Sequence, residues 1–523
     1  MKRYFKMLLP VLFLASCSAE EGSVIGNEDP VSSRQEEMEG HDEMILGETL
    51  PNPYSLANME ASLQSLGKTK ASPNLTANCV YVRFLPATPE EYEVLAGMGL
   101  DLLDHPLDRR ILKDGDWWHD PSLPEDCITW QYTTVPPDFE FPETIRHEIL
   151  EECFVPGNEE PVKGMESIDW DLVERKAYEL SGNSGMLAPE TKAKSHPTGK
   201  ISIIDRSMTS NKTSGVSGVK VMANTFVKIA SAYTDKDGKY SFDAKFSSKP
   251  HYRLCFINKK GFSIGLNLVL VPASLSALGK GMPEGMDYTV DEKSDDELFR
   301  RSVVNNAAYD YFEMCQKDGI TPPPANTRFW ILGSLRPSCT MMMHHGAILD
   351  AKLIGSYLDI YKALVRVVAP DITIGVKGKK DNYAAIYSSA VHELAHASHF
   401  QKVGTDYWGK YARYIIESFL VTGSCYGSGN ADNAGYCEVG EMWAFFMERS
   451  LYKQRYGQSI TYSNLWFCPD IFDDLVSAGF TRAEIGSVLN RNVTDVEALK
   501  SALTAAFSSK KSTITKVFAQ HGK

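Results

Sequence analysis

Residues 384–403 have the sequence AAIYSSAVHELAHASHFQKV. The apolar residues recur with the period of an α-helix, so the sequence predicts one helix over this whole segment. Within it, His392, Glu393 and His396 form an HExxH pattern. Histidines four residues apart lie on one face of a helix, so both can bind a single metal ion. Glu393 then lies where it can act as a base on a nearby water molecule.

A catalytic zinc site of this kind needs a third protein ligand. The metzincin extension of the pattern is absent, because positions 399 and 402 are His and Lys rather than Gly and His. A glutamate from a later helix is therefore expected. Glu441, which is predicted to begin a helix after a glycine-rich loop, is preferred over Glu417. Glu438 is a third candidate, either as a ligand or as a partner of one.

The region 285–523 resembles the gluzincin-type zinc metallopeptidases through the HExxH pattern and the E-x-x-A-F-F pattern at 441–446. The resemblance implies a mainly helical, zincin-like α+β domain with Zn²⁺ on His392, His396 and Glu441. It also implies that zinc activates a water molecule, while Glu393 takes the proton and returns it to the leaving amine. Tyr436 is the nearest candidate in sequence for a donor to the oxyanion.

Other features around this predicted site leave questions open. The thermolysin-type ExxxD pattern is not matched, because Phe445 stands four residues after Glu441, so the carboxylate that orients a histidine is not identified. His399 is either a partner of the site or a simple helix-surface histidine. The strand predicted within 370–376 could be the sheet edge that binds an extended peptide. Cys425 and Cys437 flank the loop before Glu441, and a disulfide between them would hold that ligand in place.

The C-terminal region is predicted to be mainly helical. The helices expected there are Asp295–Cys315, Ala347–Val368, Ala384–Val403, Tyr407–Thr422 and Glu441–Tyr456.

Residues 198–270 are predicted to form a small β-sandwich, because short apolar or alternating stretches are separated by turn residues. The predicted strands are Ile201–Ile204, Val219–Ala223, Ile229–Thr234, Lys239–Phe242 and Tyr252–Phe256. The glycines and turn residues at 199–202, 215–221 and 234–242 resemble those of the carboxypeptidase regulatory-like, transthyretin-type domain. That resemblance implies a non-catalytic accessory unit.

Two further segments precede the sandwich. Residues 76–185 are predicted to form a small α+β domain, with a strand at Val80–Leu85 and helices at Pro89–Met98 and Ile168–Gly182. Residues 18–75 are predicted to be an acidic, disordered tether. Ten acidic residues and one basic residue occupy 18–48, and such a segment stays solvated. The chain is therefore interpreted as a multidomain protein.

The first seventeen residues resemble a bacterial lipoprotein signal. A basic start is followed by a short apolar stretch and by Leu14-Ala15-Ser16-Cys17. The resemblance implies a lipid on Cys17 and a place at the outer membrane, on the surface or on the periplasmic face. The apolar stretch is too short to span a bilayer. The uncharged segment 261–279 is interpreted as soluble structure with a buried strand at Leu266–Val271.

The charge pattern excludes one class of partner. The formal net charge is −13 over 523 residues, without a dense block of Lys and Arg, so nucleic-acid binding is not expected. Two hypotheses for function follow. The first is a membrane-anchored zinc peptidase that acts on a peptide or protein substrate. The second is a surface lipoprotein that binds a glycan or protein through a catalytically degenerate zincin scaffold. Hydrolysis of a non-peptide amide is a third alternative.

Overall fold

The structure is a computed structural model. It describes residues 43–67, 75–124, 127–157, 168–189, 196–208, 212–265, 275–293, 296–333, 336, 338–347, 370–378, 382–422, 424–463 and 465–523. Three predictions lie outside these residues: the lipid attachment at Cys17, the strand Leu266–Val271, and all but the first residue of the helix Ala347–Val368.

The described residues form a mixed α/β structure. The strands are β1 Ile45–Thr49, β2 Cys79–Leu85, β3 Arg109–Lys113, β4 Gln131–Val135, β5 Arg146–Cys153, β6 Thr198–Asp205, β7 Lys212–Gly215, β8 Val219–Thr225, β9 Lys228–Tyr233, β10 Lys239–Ser241, β11 His251–Asn258, β12 Ser263–Ile264, β13 Leu275–Lys280, β14 Tyr288–Val290, β15 Arg328–Leu332, β16 Cys339–Thr340 and β17 Ile372–Gly375. The α-helices are α1 Leu56–Ser65, α2 Pro89–Gly97, α3 Trp170–Leu180, α4 Asp296–Asp318, α5 Tyr383–Val403, α6 Thr405–Thr422, α7 Ala434–Tyr456, α8 Asp470–Ser477, α9 Arg482–Val488, α10 Val496–Ala506 and α11 Lys511–Gln520. Among these helices, none is long and apolar enough to cross a bilayer.

The first part of the chain is built on the antiparallel sheet β4-β2-β5. Side chains of a strand alternate between the two faces of its sheet, and β2 buries both. Val82 and Phe84 pack towards α2 on one face, whereas Tyr81 packs on the other face in a core shared with Phe226 and Val227. The sheet is therefore held between its own helix and the strands that follow it.

The prediction of a disordered tether over residues 18–75 is wrong for its second half. Residues 43–67 are folded, because β1 pairs with β3 and α1 packs against α3. Tyr54, Met59 and Leu63 are buried in this part. The acidic composition of residues 18–48 hid these apolar side chains, whose burial stabilises the segment.

The five strands predicted between residues 198 and 270 are present as β6, β8, β9, β10 and β11. They belong to two sheets that share one core. The smaller sheet has the order β10-β6-β14 with β7 also on β6, and the larger has the order β16-β17-β15-β12-β11-β8-β9 with β13 also on β11. The larger sheet therefore runs without a break from the predicted sandwich into the region that carries the HExxH pattern.

The expectation that the strand at residues 372–376 forms a sheet edge is wrong. β17 pairs in parallel with β15 on one side and antiparallel with β16 on the other. Among the described strands, the edge on this side is β16, and it gives no periodic signal in the sequence because Cys339 and Thr340 are too few residues.

Candidate metal centre

The helix that carries the HExxH pattern, α5, begins and ends with clear local signals. The side chain of Asn382 accepts a hydrogen bond from the N–H of Ala385, which satisfies one free donor of the first turn. The helix ends at Gly404, whose φ of 81° is readily adopted only by glycine. Most of the helix is buried between α4 and α7, so its apolar periodicity reflects contacts on more than one side.

The helix that supplies the third candidate ligand begins earlier than predicted. α7 starts at Ala434 rather than at Glu441. Glu441 lies in its third turn, fully buried against α5. Glu441 is therefore held by a rigid helix rather than placed directly after a loop.

His392, His396 and Glu441 converge on one point, and no other group of His, Cys, Asp and Glu in the described part of the chain is arranged so that it could hold a metal ion. The Nε2 atoms of the two histidines are 3.2 Å apart. Glu441 Oε2 is 3.4 Å from His392 Nε2, and Glu441 Oε1 is 3.5 Å from His396 Nε2. Tetrahedral zinc bonded at about 2.0–2.1 Å keeps two ligands about 3.3 Å apart, so these separations fit such an ion.

The polar atoms of this group also fit a cation. Glu441 Oε2 is buried and has no hydrogen-bond partner among the described residues, and a buried charged oxygen without a partner is costly. Burial acts most strongly on the pKa of Glu441 and raises it, but the charge of His396 and the nearby imidazole of His392 outweigh burial and bring the pKa to about 2. Glu441 is thus a buried carboxylate that stays anionic, as a metal ligand would need to be.

Glu448 is the orienting carboxylate that the sequence did not identify. Its Oε2 lies 3.0 Å from Nδ1 of His392. Its other oxygen accepts hydrogen bonds from Ser388 and Tyr462. A proton on Nδ1 leaves the Nε2 lone pair of His392 facing the metal group, as in other metal sites with a carboxylate behind a histidine. The signal was the spacing, because Glu448 follows Glu441 by seven residues and so lies on the same helix face.

The two glutamates also determine the charge of His392. Burial is the largest influence and lowers the pKa of His392. The nearby carboxylates of Glu441 and Glu448 overcome burial and raise that pKa well above its ordinary value. Each ring nitrogen of His392 thus faces a carboxylate oxygen, Nε2 that of Glu441 at 3.4 Å and Nδ1 that of Glu448 at 3.0 Å.

Glu393 is held by the edge strand. The hydroxyl of Thr340 on β16 donates to Oε2 of Glu393 at 2.7 Å, and its distance to the backbone oxygen of Glu393 is 2.8 Å. Oε1 of Glu393 is buried and has no hydrogen-bond partner within the described ranges. Burial raises the pKa of Glu393, against the charges of His392 and His396. Thr340 thus fixes Oε2 of Glu393, and Oε1 can accept a proton.

Tyr436, the predicted oxyanion donor, lies away from the metal group. Its hydroxyl accepts a hydrogen bond from the exposed Lys410 at 3.0 Å. The tyrosine at the site is Tyr411 on α6, whose hydroxyl donates to Glu441 Oε1 at 2.7 Å and lies 3.5 Å from His396 Nε2. Sequence proximity to Glu441 favoured Tyr436, but the side chain of Tyr436 points to another side of α7.

The alternative third ligands have other partners. Glu417 is partly exposed and pairs with Arg413 on the surface of α6. Glu438 accepts from the N–H of Val496 and pairs with Lys523. Of the three glutamates, only Glu441 joins the histidines.

His399 is buried, so the interpretation as a helix-surface histidine is wrong. Its ring packs against Tyr407 and Trp408, and neither ring nitrogen has a hydrogen-bond partner in the described part of the chain. Burial, with the charges of His396 and Lys402, lowers the pKa of His399 to about 3. His399 is therefore a neutral neighbour of the group.

The predicted disulfide between Cys425 and Cys437 is absent. Both side chains are thiols, as are all other cysteines that the structure describes. Cys437 lies within α7, one turn before Glu441, so the helix itself fixes the ligand. Helix packing performs the task that the sequence analysis assigned to a covalent bond.

No family model, curated protein or solved structure matches this chain. The resemblance to gluzincins therefore depends on the motif residues and on the geometry of this group.

Proposed function

We propose that this chain is a zinc-dependent peptidase. One observation carries the proposal: His392, His396 and Glu441 place two nitrogens and a carboxylate at the separations of a tetrahedral cation. Two imidazoles and a carboxylate are the donor set of many catalytic zinc sites, and they leave one coordination position for water or substrate. A peptide or protein is the proposed substrate.

Each side chain of the site has its own role in the proposed reaction. When bound, zinc supplies a Lewis acid that activates water near neutral pH. Glu448 holds the tautomer of His392, and Thr340 holds one oxygen of Glu393. The other oxygen of Glu393 is then available to accept a proton from water and to return it to the leaving amine. Tyr411 donates to Oε1 of Glu441, which leaves Oε2 of the same carboxylate for the metal ion.

The proposal includes a lipid anchor on Cys17 at the outer membrane, with the signal-like sequence of residues 1–17 as its support. Metabolic labelling with a palmitate analogue should mark the chain and fail to mark Cys17→Ser.

The central experiment compares the chain with Glu393→Gln and with Glu417→Gln. Zinc content is measured after dialysis, and cleavage is measured on a peptide library by mass spectrometry. The chain and both variants should bind one zinc ion, because Glu393 is not a ligand. Loss of the base should slow cleavage about 10²- to 10⁴-fold in Glu393→Gln, whereas Glu417→Gln, changed at an ion pair on the surface, should cleave normally.

Other outcomes would replace the proposal. Zinc bound at one equivalent without cleavage of any peptide would support the second hypothesis, a surface-binding protein whose metal stabilises its fold. Failure to bind zinc in the intact chain would remove both the ligand set and the proposed reaction.

A further inference from the structure

A second reactive cluster lies outside the metal group. It consists of Cys468, two residues before α8, Asp474 on α8, and His521, directly after α11. The Sγ atom of Cys468 is 3.1 Å from Nδ1 of His521. Nε2 of the same ring is 2.8 Å from Oδ2 of Asp474. The thiol, the imidazole and the carboxylate are thus joined by two consecutive hydrogen bonds. This is the arrangement of a nucleophile, the base that activates it and the group that orients the base.

The carboxylate determines which nitrogen of the ring can act as a base. A carboxylate accepts hydrogen bonds, so Asp474 holds the ring proton on Nε2 of His521. The lone pair of Nδ1 then faces Cys468, whose S–H is the donor. The geometry prepares a transfer of the thiol proton to His521.

The surroundings show why this thiol needs a base. Burial, the strongest influence, and the charge of Asp470 raise the pKa of Cys468. The backbone N–H groups of Ile471 and Asp470 at the start of α8 lower that pKa in part. The net direction keeps Cys468 protonated, so its reactivity depends on the base His521.

We propose that Cys468 is a nucleophile for thiol–disulfide exchange with small, cationic disulfides. The thiol proton moves to Nδ1 of His521 as Sγ attacks one sulfur of the disulfide. A new S–S bond forms to Cys468, and the old S–S bond breaks. The leaving thiolate takes the proton back from His521, so the products are a mixed disulfide and a free thiol, with no other oxidant or reductant needed.

Two observations favour a small, cationic disulfide as the substrate. The N–H of Ile471 at the start of α8 donates to the backbone oxygen of Cys468 at 3.3 Å, so it is already used and does not serve as an oxyanion-hole donor beside a carbonyl, as acyl transfer would need. The exposed charges around the thiol are acidic: the side chains of Asp470, Asp473 and Asp474 are 60%, 43% and 47% exposed, whereas Arg449 between the first two is only 12% exposed. A cationic disulfide is attracted to such a surface.

The test uses the full chain with two matched disulfides, cystamine and the anionic 3,3′-dithiodipropionate, near pH 7. Peptide mass spectrometry follows mixed-disulfide formation at each cysteine. Cys127 is an internal control because it is more exposed than Cys468, and His119 contacts its backbone oxygen rather than its sulfur. We expect Cys468 to react with cystamine at least about tenfold faster than Cys127, and faster than with the anionic reagent.

Variants separate a relay from a structural hydrogen bond. His521→Gln should slow Cys468 about tenfold or more, and Asp474→Asn should slow it less, while Cys127 keeps its rate. Reaction of the buried Cys437 would show that the His521→Gln chain is unfolded. In that case, the rate of Cys468 in Asp474→Asn is used for the test instead. Glu393→Gln should leave the rate of Cys468 unchanged, so this proposal stands or fails independently of the peptidase.

Several results would overturn the inference. An unchanged Cys468 rate in a folded His521→Gln chain would remove the base. A Cys468 no faster than Cys127 would remove the activation, and a preference for the anionic disulfide would remove the proposed substrate class.

Discussion

Replacement of Glu448 by Gln isolates the contribution of the carboxylate behind His392. The amide has nearly the same shape, and its oxygen can still accept the Nδ1 proton at the observed 3.0 Å. Its NH₂ group would face the hydroxyls of Ser388 and Tyr462, which can accept as well as donate. The substitution therefore removes a charge and keeps the hydrogen bonds.

The magnitude follows from that single loss. A hydrogen bond to a charged group contributes about 1.5–3 kcal/mol and a neutral one about 1 kcal/mol. Glu448 is only 7% exposed, so solvent screens it little. A loss of about 1–2 kcal/mol corresponds to zinc binding that is about 5- to 30-fold weaker.

The assay is a competition titration in which a colorimetric chelator and the protein share a limiting amount of zinc. Glu417→Gln is the matched control, because it makes the same chemical change at a glutamate that pairs with Arg413 on the surface. We expect the control to bind zinc like the parent chain. Circular dichroism before titration verifies that both variants are folded.

The reasoning is refuted if folded Glu448→Gln binds zinc within twofold of the parent chain. In that case the carboxylate would not determine the tautomer of His392, and the hydrogen bond at Nδ1 would be a packing feature. Weakening by the same factor in Glu417→Gln would equally refute it, because the effect would then arise from net charge.

Three further predictions concern stability, and urea unfolding measures each of them. Tyr411→Phe should lower the free energy of unfolding of the metal-free chain by about 1–2 kcal/mol, because a buried hydrogen bond to Glu441 is lost; Tyr436→Phe should change it by less than about 0.5 kcal/mol. Lys228→Met should cost about 3–5 kcal/mol, because it leaves the buried carboxylate of Glu174 without its cation, and the cost should shrink when Glu174→Gln is added. Burial raises the pKa of Asp114, but His251 and Arg253 bring it to about 2. The pKa of Asp114 in the folded chain therefore lies below its value in the unfolded chain. About 2 kcal/mol of stability is thus present above pH 4 and is lost as the pH falls towards 2. Asp114→Asn should remove that part of the acid dependence, and an unchanged acid profile would contradict this account.

Short-range patterns carried much of the fold. The helix around His392 and the strands between residues 198 and 258 were predicted near their observed bounds, because a helix repeats every 3.6 residues and a strand every two. Glu441 was preferred as the third ligand from a motif, and the structure places it with the histidines. The folded part of the predicted tether was missed, because a few buried side chains outweighed an acidic composition.

The sequence by itself determined that His392 and His396 share one face of a helix. Residues four positions apart in the same helix lie on the same side of it, whatever the rest of the chain packs against. Only the tertiary structure decided that Glu448 lies behind His392, that Tyr411 rather than Tyr436 contacts Glu441, and that Thr340 holds Glu393. These contacts join different elements, and their distances depend on how helices and strands pack. Distance along the chain therefore fails as a guide to them, since packing brings residues of this site together that are up to 56 positions apart.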